Sequence, residues 1–139
     1  MRATALAAVV LALGIGGLLP RPAAGGHESG SIALSILPRQ LQALLEAGEI
    51  GTLRLIDLRP GDQYARAHVP RARSMQPAHV ERLQHEIPRD GLIVVYGATT
   101  LDAVDTFALL QRHGYRNVRV LAGGFSAWTQ AGFPVETQP

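Results

Sequence analysis

The chain has 139 residues, of which 47% are hydrophobic and 17% charged, so it has the size and apolar content of one folded domain and is not a disordered chain. All thirteen basic residues are arginine, and once Arg2 and Arg21 near the start are set aside, the other eleven balance the eleven acids. That balance, with no basic stripe interleaved with aromatics, argues against a nucleic-acid partner. The absence of cysteine removes disulfides, thiolate metal sites and any thiol nucleophile.

Met1-Arg2 is a short positive start, and Ala3 to Leu19 follows without a charge. Pro20 and Pro22 break any helix, and Ala23 to Gly26 supply the small residues that a signal peptidase needs. Residues 1–25 are read as a secretory signal peptide and 26–31 as a flexible leader. The expected location is therefore periplasmic or secreted. A membrane enters only if the segment is retained as an anchor, for which it is short of the roughly 20 residues a span prefers.

Residues 32–139 form the expected domain. Ile32 to Ile36 is a candidate short strand. Pro38 suits the first turn of a helix carrying Leu41, Leu44 and Leu45, with Gly48 as its C-terminal stop. Leu53 to Leu58 is a buried strand ending at the turn Arg59-Pro60-Gly61. Asp62 to Ala67 is a short helix. A second amphipathic stretch follows Pro77, with Val80, Leu83 and Ile87 on one side. Leu92 to Tyr96 is a strand, followed by a loop and a helix with Leu101, Val104, Phe107 and Ala108 on one face. Val118 to Leu121 is the next strand and Phe125 to Ala131 the last helix. Apolar strands alternating with helices imply an α/β fold, a parallel central sheet flanked by helices on both faces. In such sheets ligands sit beyond the carboxyl ends of the strands, here the loops after Leu58 and Tyr96.

Those segments resemble the rhodanese-like domain family. Leu55-Ile56-Asp57-Leu58-Arg59 is similar to the family's "IDVR" strand. Tyr64 with His68-Val69-Pro70 is similar to its "EY…GHIPGA" element, although Ala67 and Arg71 stand where glycines are usual. His113-Gly114-Tyr115 through Leu121, then Gly123-Gly124-Phe125 and Ala127-Trp128, is similar to "aGy.nVrvL.GGf.aW", and Gly132-Phe133-Pro134-Val135 completes the ending. The resemblance spans Ile36 to Val135 and implies a single rhodanese-like domain.

The departure falls where the family's chemistry lies. Members that transfer sulfur carry a loop like C-x-x-G-x-R. Here the loop reads Gly97-Ala98-Thr99-Thr100-Leu101-Asp102, so that Gly97 takes the cysteine position, Thr100 the glycine and Asp102 the arginine. Sulfur transfer through a persulfide requires a thiolate, as do the arsenate reductases and phosphatases on this fold. The resemblance therefore implies no catalytic residue, and the expected function is that of a catalytically inactive, exported binding or regulatory module. Two alternatives remain open at this stage. One is a sulfurtransferase-like enzyme with an atypical loop using Thr99 or Thr100; the other is a non-catalytic oxyanion-binding protein.

For the loop itself, Thr99 with Asp102 three residues later forms a capping-box-like pair. A retained ligand pocket or a partner-contact loop are the other readings. A carboxylate where a guanidinium is usual opposes an anion by about 1–4 kcal/mol. Asp57 and Arg59 sit at the mouth, where they either fix the loop or steer an anion, and His68 is expected to pack beneath the site rather than act as a base. Arg66, Arg71 and Arg73 form a small basic cluster, a solvated surface by default and a docking patch for an acidic partner otherwise. No histidine or carboxylate cluster has ligand spacing, so neither metal nor cofactor is expected. The partner is left as an unknown protein or a small oxyanion.

Overall fold

The computed structural model describes residues 34–48 and 51–139. The expected signal peptide and leader, and residues 32–33 of the strand expected at Ile32 to Ile36, lie outside the described residues; within them that strand is Ser35–Ile36 alone. Five strands form one sheet in spatial order β1-β5-β4-β2-β3, every neighbouring pair parallel. They are β1 (Ser35–Ile36), β2 (Leu53–Asp57), β3 (Arg73–Ser74), β4 (Leu92–Tyr96) and β5 (Val118–Leu121). Among the described residues four α-helices connect them, α1 (Pro38–Glu46), α2 (Gly61–Arg66), α3 (Pro77–Leu83) and α4 (Leu101–Arg112), with a short 3-10 turn at Gln84–Glu86, and a fifth, α5 (Gly124–Gln130), follows β5.

The alternation of side chains along each strand divides the core into two layers. Ile93 and Val95 of β4 join Ile56, Val118 and Val120 against Val80, Phe107 and Leu110 on the α3 and α4 side. Val94 and Tyr96 join Leu55 and Leu121 against Leu41 and Trp128 on the α1 and α5 side. β4 is buried on both faces, which is why its sequence is an unbroken apolar run.

Two expectations are corrected, and one strand adds to them. The α4 face turned to the sheet is Ala103, Thr106, Phe107 and Leu110, while Leu101 is 81% and Val104 42% exposed. Both sets have helical spacing, but the observed set carries Leu110 into the core and leaves Leu101 in the first turn, beside the loop. The stretch after Pro77 is not one helix: α3 ends at Leu83, and Ile87, extended because Pro88 follows, turns its side chain inward. β3 was not anticipated, because two exposed polar residues carry no hydrophobic pattern.

Trp128 closes the α5 side. It is fully buried, its Nε1 donates to the Pro134 carbonyl at 2.8 Å, and its ring lies 5.0 Å from that of Phe133. Trp128→Ala should lower stability by about 3–5 kcal/mol, through lost burial and the cavity left behind. Equilibrium denaturation of the variant beside the parent measures it, and a loss much smaller than this would mean that the layer collapses to refill the space.

Candidate functional site

β2 and β4 end side by side, and Leu58 N–H donates to the Tyr96 carbonyl at 2.9 Å, so the loops that follow leave the sheet together. Between them lies an open cavity of about 340 Å³, lined by Leu58, Arg59, Pro60, Gln63, Pro77, Gly97, Ala98 and Asp102. The sequence pointed to Arg59, Gly97, Ala98 and Asp102. Gln63 and Pro77 come from the starts of α2 and α3 and had no motif to mark them.

The residues of the loop after β4 are tied down from two sides. Gly97 is buried, while Ala98, Thr99, Leu101 and Asp102 are exposed and Thr100 is partly so. From α5, Phe125 N–H donates to the Gly97 carbonyl at 2.9 Å and Ser126 N–H to the Ala98 carbonyl at 3.0 Å. That close docking needs Gly124, where a Cβ would sit 2.7 Å from the Ala98 backbone. From within the loop, Asp102 turns back: its Oδ2 accepts from Thr99 N–H at 2.7 Å and from the Thr99 hydroxyl at 2.9 Å. The capping box expected of Thr99 and Asp102 is thus half formed, the carboxylate end only. Thr100 uses its own hydroxyl elsewhere, accepting from Gly123 N–H at 2.7 Å.

This turn brings Asp102 over Gly97. A Cβ on residue 97 would stand 2.3 Å from Asp102 Cβ and 3.3 Å from its Oδ2. The two departures from the expected loop are therefore one arrangement, in which Asp102 occupies the space that any side chain at position 97 would need.

Arg59 lines the cavity and is held by Asp57, which does not line it. Asp57 is fully buried and Arg59 7% exposed. The Asp57 carboxylate accepts from Arg59 N–H at 2.9 Å, from Nε at 3.0 and 3.2 Å and from Nη2 at 2.6 Å. Nη2 also donates to the Ala67 carbonyl at 2.7 Å, and the guanidinium lies 3.7 Å from the centroid of Phe125. Nη1 has no hydrogen-bond partner among the described residues. Arg59 is thus chiefly a structural cation, held by its carboxylate and stacked on an aromatic ring. Tyr96 beneath it is buried, and its hydroxyl accepts from Val69 N–H at 3.1 Å. Burial first, and then the nearby Asp57 charge, push the Tyr96 phenol well above its usual range, so it stays protonated.

His68 does not line the cavity. It is buried, its ring is stacked on Tyr64 at 3.8 Å, its Nδ1 lies 2.8 Å from the Tyr64 carbonyl and its Nε2 3.7 Å from Glu136 Oε2. Backbone bonds in both directions between His68 and Glu136 fasten the C-terminal tail to this turn.

With this geometry in place, the Rhodanese-like domain pattern matches residues 37–131. The chain belongs to the rhodanese-like domain family. Thiosulfate sulfurtransferase GlpE of Actinobacillus pleuropneumoniae is 29% identical over 73% of this chain and 92% of its own length. A sulfurtransferase of Allochromatium vinosum is 32% identical over 58% of this chain and 76% of its own. The HTH-type transcriptional regulator Rv0324 of Mycobacterium tuberculosis is 34% identical over 67% of this chain, which spans only 42% of the regulator. Among solved structures, the rhodanese-like domain of Anabaena Alr3790 superposes with a TM-score of 0.67, at 29% identity over 74% of this chain and 78% of that one. The rhodanese-like domain protein of Staphylococcus aureus, at 18% identity and a TM-score of 0.66, shares the fold over 76% of this chain and 99% of its own. The fold is thus that of a rhodanese-like domain with sulfurtransferase homologues, around a loop closed on its own carboxylate.

Gly97→Ala should destabilise this domain by about 1–3 kcal/mol, the usual cost of overpacking. In an Asp102→Gly background the same change should cost much less, because the colliding Cβ is gone. A double-mutant cycle by chemical denaturation reads the coupling, and strictly additive costs would contradict the contact.

Proposed function

We propose that this rhodanese-like domain transfers no sulfur and works by binding, as an exported module. The observation that carries the reading is the collision between a side chain at position 97 and Asp102, together with the capture of Thr99 N–H by the same carboxylate. A persulfide carrier needs a thiol at the end of the central strand and loop N–H groups turned to the incoming anion. This loop lacks the thiol, since the chain has no cysteine, and one of its donors, Thr99 N–H, already serves an internal anion.

The reading in which Thr99 or Thr100 replaces the thiol has little support. The Thr99 hydroxyl is bonded to Asp102 and the Thr100 hydroxyl accepts from the Gly123 backbone. No histidine contacts either one among the described residues, so neither has the strong adjacent base that hydroxyl nucleophiles use. Simple oxyanion binding meets the same obstacle, since an incoming anion would have to displace Asp102 or share its neighbourhood.

Thiosulfate with cyanide is the direct test. The wild type should form no thiocyanate above a heat-killed control, and clear turnover would overturn the inactive reading. Gly97→Cys alone should stay a bare thiol after thiosulfate, by intact mass, because its Cβ meets Asp102. Gly97→Cys/Asp102→Gly, with the space and the Thr99 N–H released, is the variant expected to gain one sulfur atom as sulfite departs. Gain by the single variant would show that Asp102 gives way readily. Millimolar thiosulfate, sulfate or phosphate should leave the melting temperature of the wild type unchanged, and a rise would favour the oxyanion-binding reading.

Export rests on the charged start, the apolar run and the small-residue site within residues 1–25. The full chain expressed in an exporting bacterial host should be recovered outside the cytoplasm with a mass that begins near Gly25 or His27. Recovery of the uncut chain from the cytoplasm would remove this part of the proposal.

A further inference from the structure

The sheet edge along β2 carries a second surface, distinct from the loop after β4. β3 pairs with β2 only at Ile56 and Asp57, so Leu53–Leu55 have β4 on one side and no strand on the other among the described residues. Beside that bare length of β2 lie two adjoining cavities of about 130 and 210 Å³, which share Leu53, Leu55 and Arg71 in their walls. Met75, Ile87 and Pro88 extend the apolar lining; Arg54, Arg73 and Glu86 complete the polar part. The smaller space is of the order of one that holds a benzene-sized group, about 150 Å³. No residue lines both this groove and the cavity at the loop.

Arg71 is unusual in its backbone. Its φ of 69° makes it the non-glycine residue with a left-handed conformation among the described residues. A bulky side chain is unfavourable there, and such strain persists only where the surroundings enforce it. The enforcement is visible. Arg71 N–H donates to Glu136 Oε2 at 3.0 Å, and Glu136 is itself locked to His68 by paired backbone bonds. The tail thus holds Arg71 in place while its guanidinium, like that of Arg73, has no hydrogen-bond or ion-pair partner among the described residues. Both side chains belong to exposed residues. Arg54 is partly engaged, donating to the Gly51 carbonyl at 2.9 Å. Charges on a sheet edge ordinarily serve to repel stray strands. Repulsion alone needs no arginine at a strained position, nor apolar cavities beneath it.

We propose that this groove is a docking site for an extended acidic segment of a partner protein. The segment lies along Leu53–Leu55, places an apolar side chain against Leu53 and Leu55, and meets Arg71 and Arg73 with its carboxylates. Strand addition supplies the main-chain bonds, and the alternation of acidic and apolar residues supplies the selectivity. Three arginines against the single Glu86 fix the sign of the partner. The proposal is independent of whether the loop after β4 is catalytic, so either can fail alone.

The test is fluorescence polarisation of the full chain with a labelled peptide of sequence Glu-Leu-Glu-Val-Asp-Leu-Glu. Saturable binding that weakens with added salt is expected, with amide shifts in the NMR spectrum centred on Leu53–Leu55 and Met75. Arg71→Gly, which keeps the backbone conformation at no strain, and Arg73→Gln should each weaken binding by about tenfold. Arg71→Gly should also raise the melting temperature, which keeps lost binding distinct from lost folding. Absence of saturable binding, or unchanged affinity in both variants, would overturn the proposal. So would equal affinity for polyglutamate, with shifts scattered over all the arginines, since that describes a general polyanion surface.

Discussion

A carboxylate in the first turn of a helix, after a tight turn from a strand, has unpaired backbone N–H groups within reach and will take one unless another anion does. In this chain Asp102 takes that of Thr99, and in doing so lies over the Cα of Gly97. The contact decides the character of the site. A side chain on residue 97 and the bent-back Asp102 exclude each other, so the missing nucleophile and the reversed charge belong to one packing solution. An anion entering from solvent would find the Thr99 N–H engaged and a negative charge beside it. The Thr99 end of the loop is thus satisfied from within, and the Gly97 and Ala98 carbonyls by α5.

Below the loop, a buried ion pair does a different job. Desolvating two charges is expensive, and such a pair is tolerable only when every bond is made well. Asp57 and Arg59 meet that condition: the carboxylate receives both side-chain and backbone donors, and the guanidinium adds the Ala67 carbonyl and the face of Phe125. The pair joins the end of β2 to the turn before His68, eight residues on, and to α5, far along the chain. Because the two core layers are built from the strands and from helices α1, α3, α4 and α5, none of this depends on what the loop binds. A rhodanese-like scaffold can accordingly lose its thiol without losing its fold.

Much of this was legible beforehand, where the signal was collective. β4 and β5 were delimited correctly from unbroken apolar runs, and α1 from Pro38, the leucine spacing and Gly48, whose φ is 71°. The parallel sheet followed from the alternation of elements, and the identity of loop residues 97–102 from their place after β4. Less could be read where two helical frames compete: Leu101 and Val104 have the same spacing as Ala103, Thr106 and Leu110, and only the docking of α4 on the sheet chooses between them. β3 is two residues long and had no pattern to show. The collision at Gly97 was equally hidden, because it depends on where a carboxylate points. Arg71 was noticed as an arginine where glycine is usual; that its backbone keeps the glycine conformation emerges only from the clamp that Glu136 forms across the chain.

That clamp links the two surfaces of the molecule in a particular way. The turn from Ala67 to Arg71 is fastened at one end to Arg59, through the Ala67 carbonyl, and at the other to Glu136, through the Arg71 amide. Val69 between them is fully buried, with its N–H on the Tyr96 hydroxyl. A turn held at three points cannot relax its backbone to relieve one residue, so the strain at Arg71 is sustained by bonds that the fold needs for other reasons. The outcome is a rigid mount. It fixes the backbone that carries Arg71 beside the apolar groove, while the exposed side chain keeps its own freedom. Under the docking proposal, the part of the ordering cost that this mount removes is the backbone's alone.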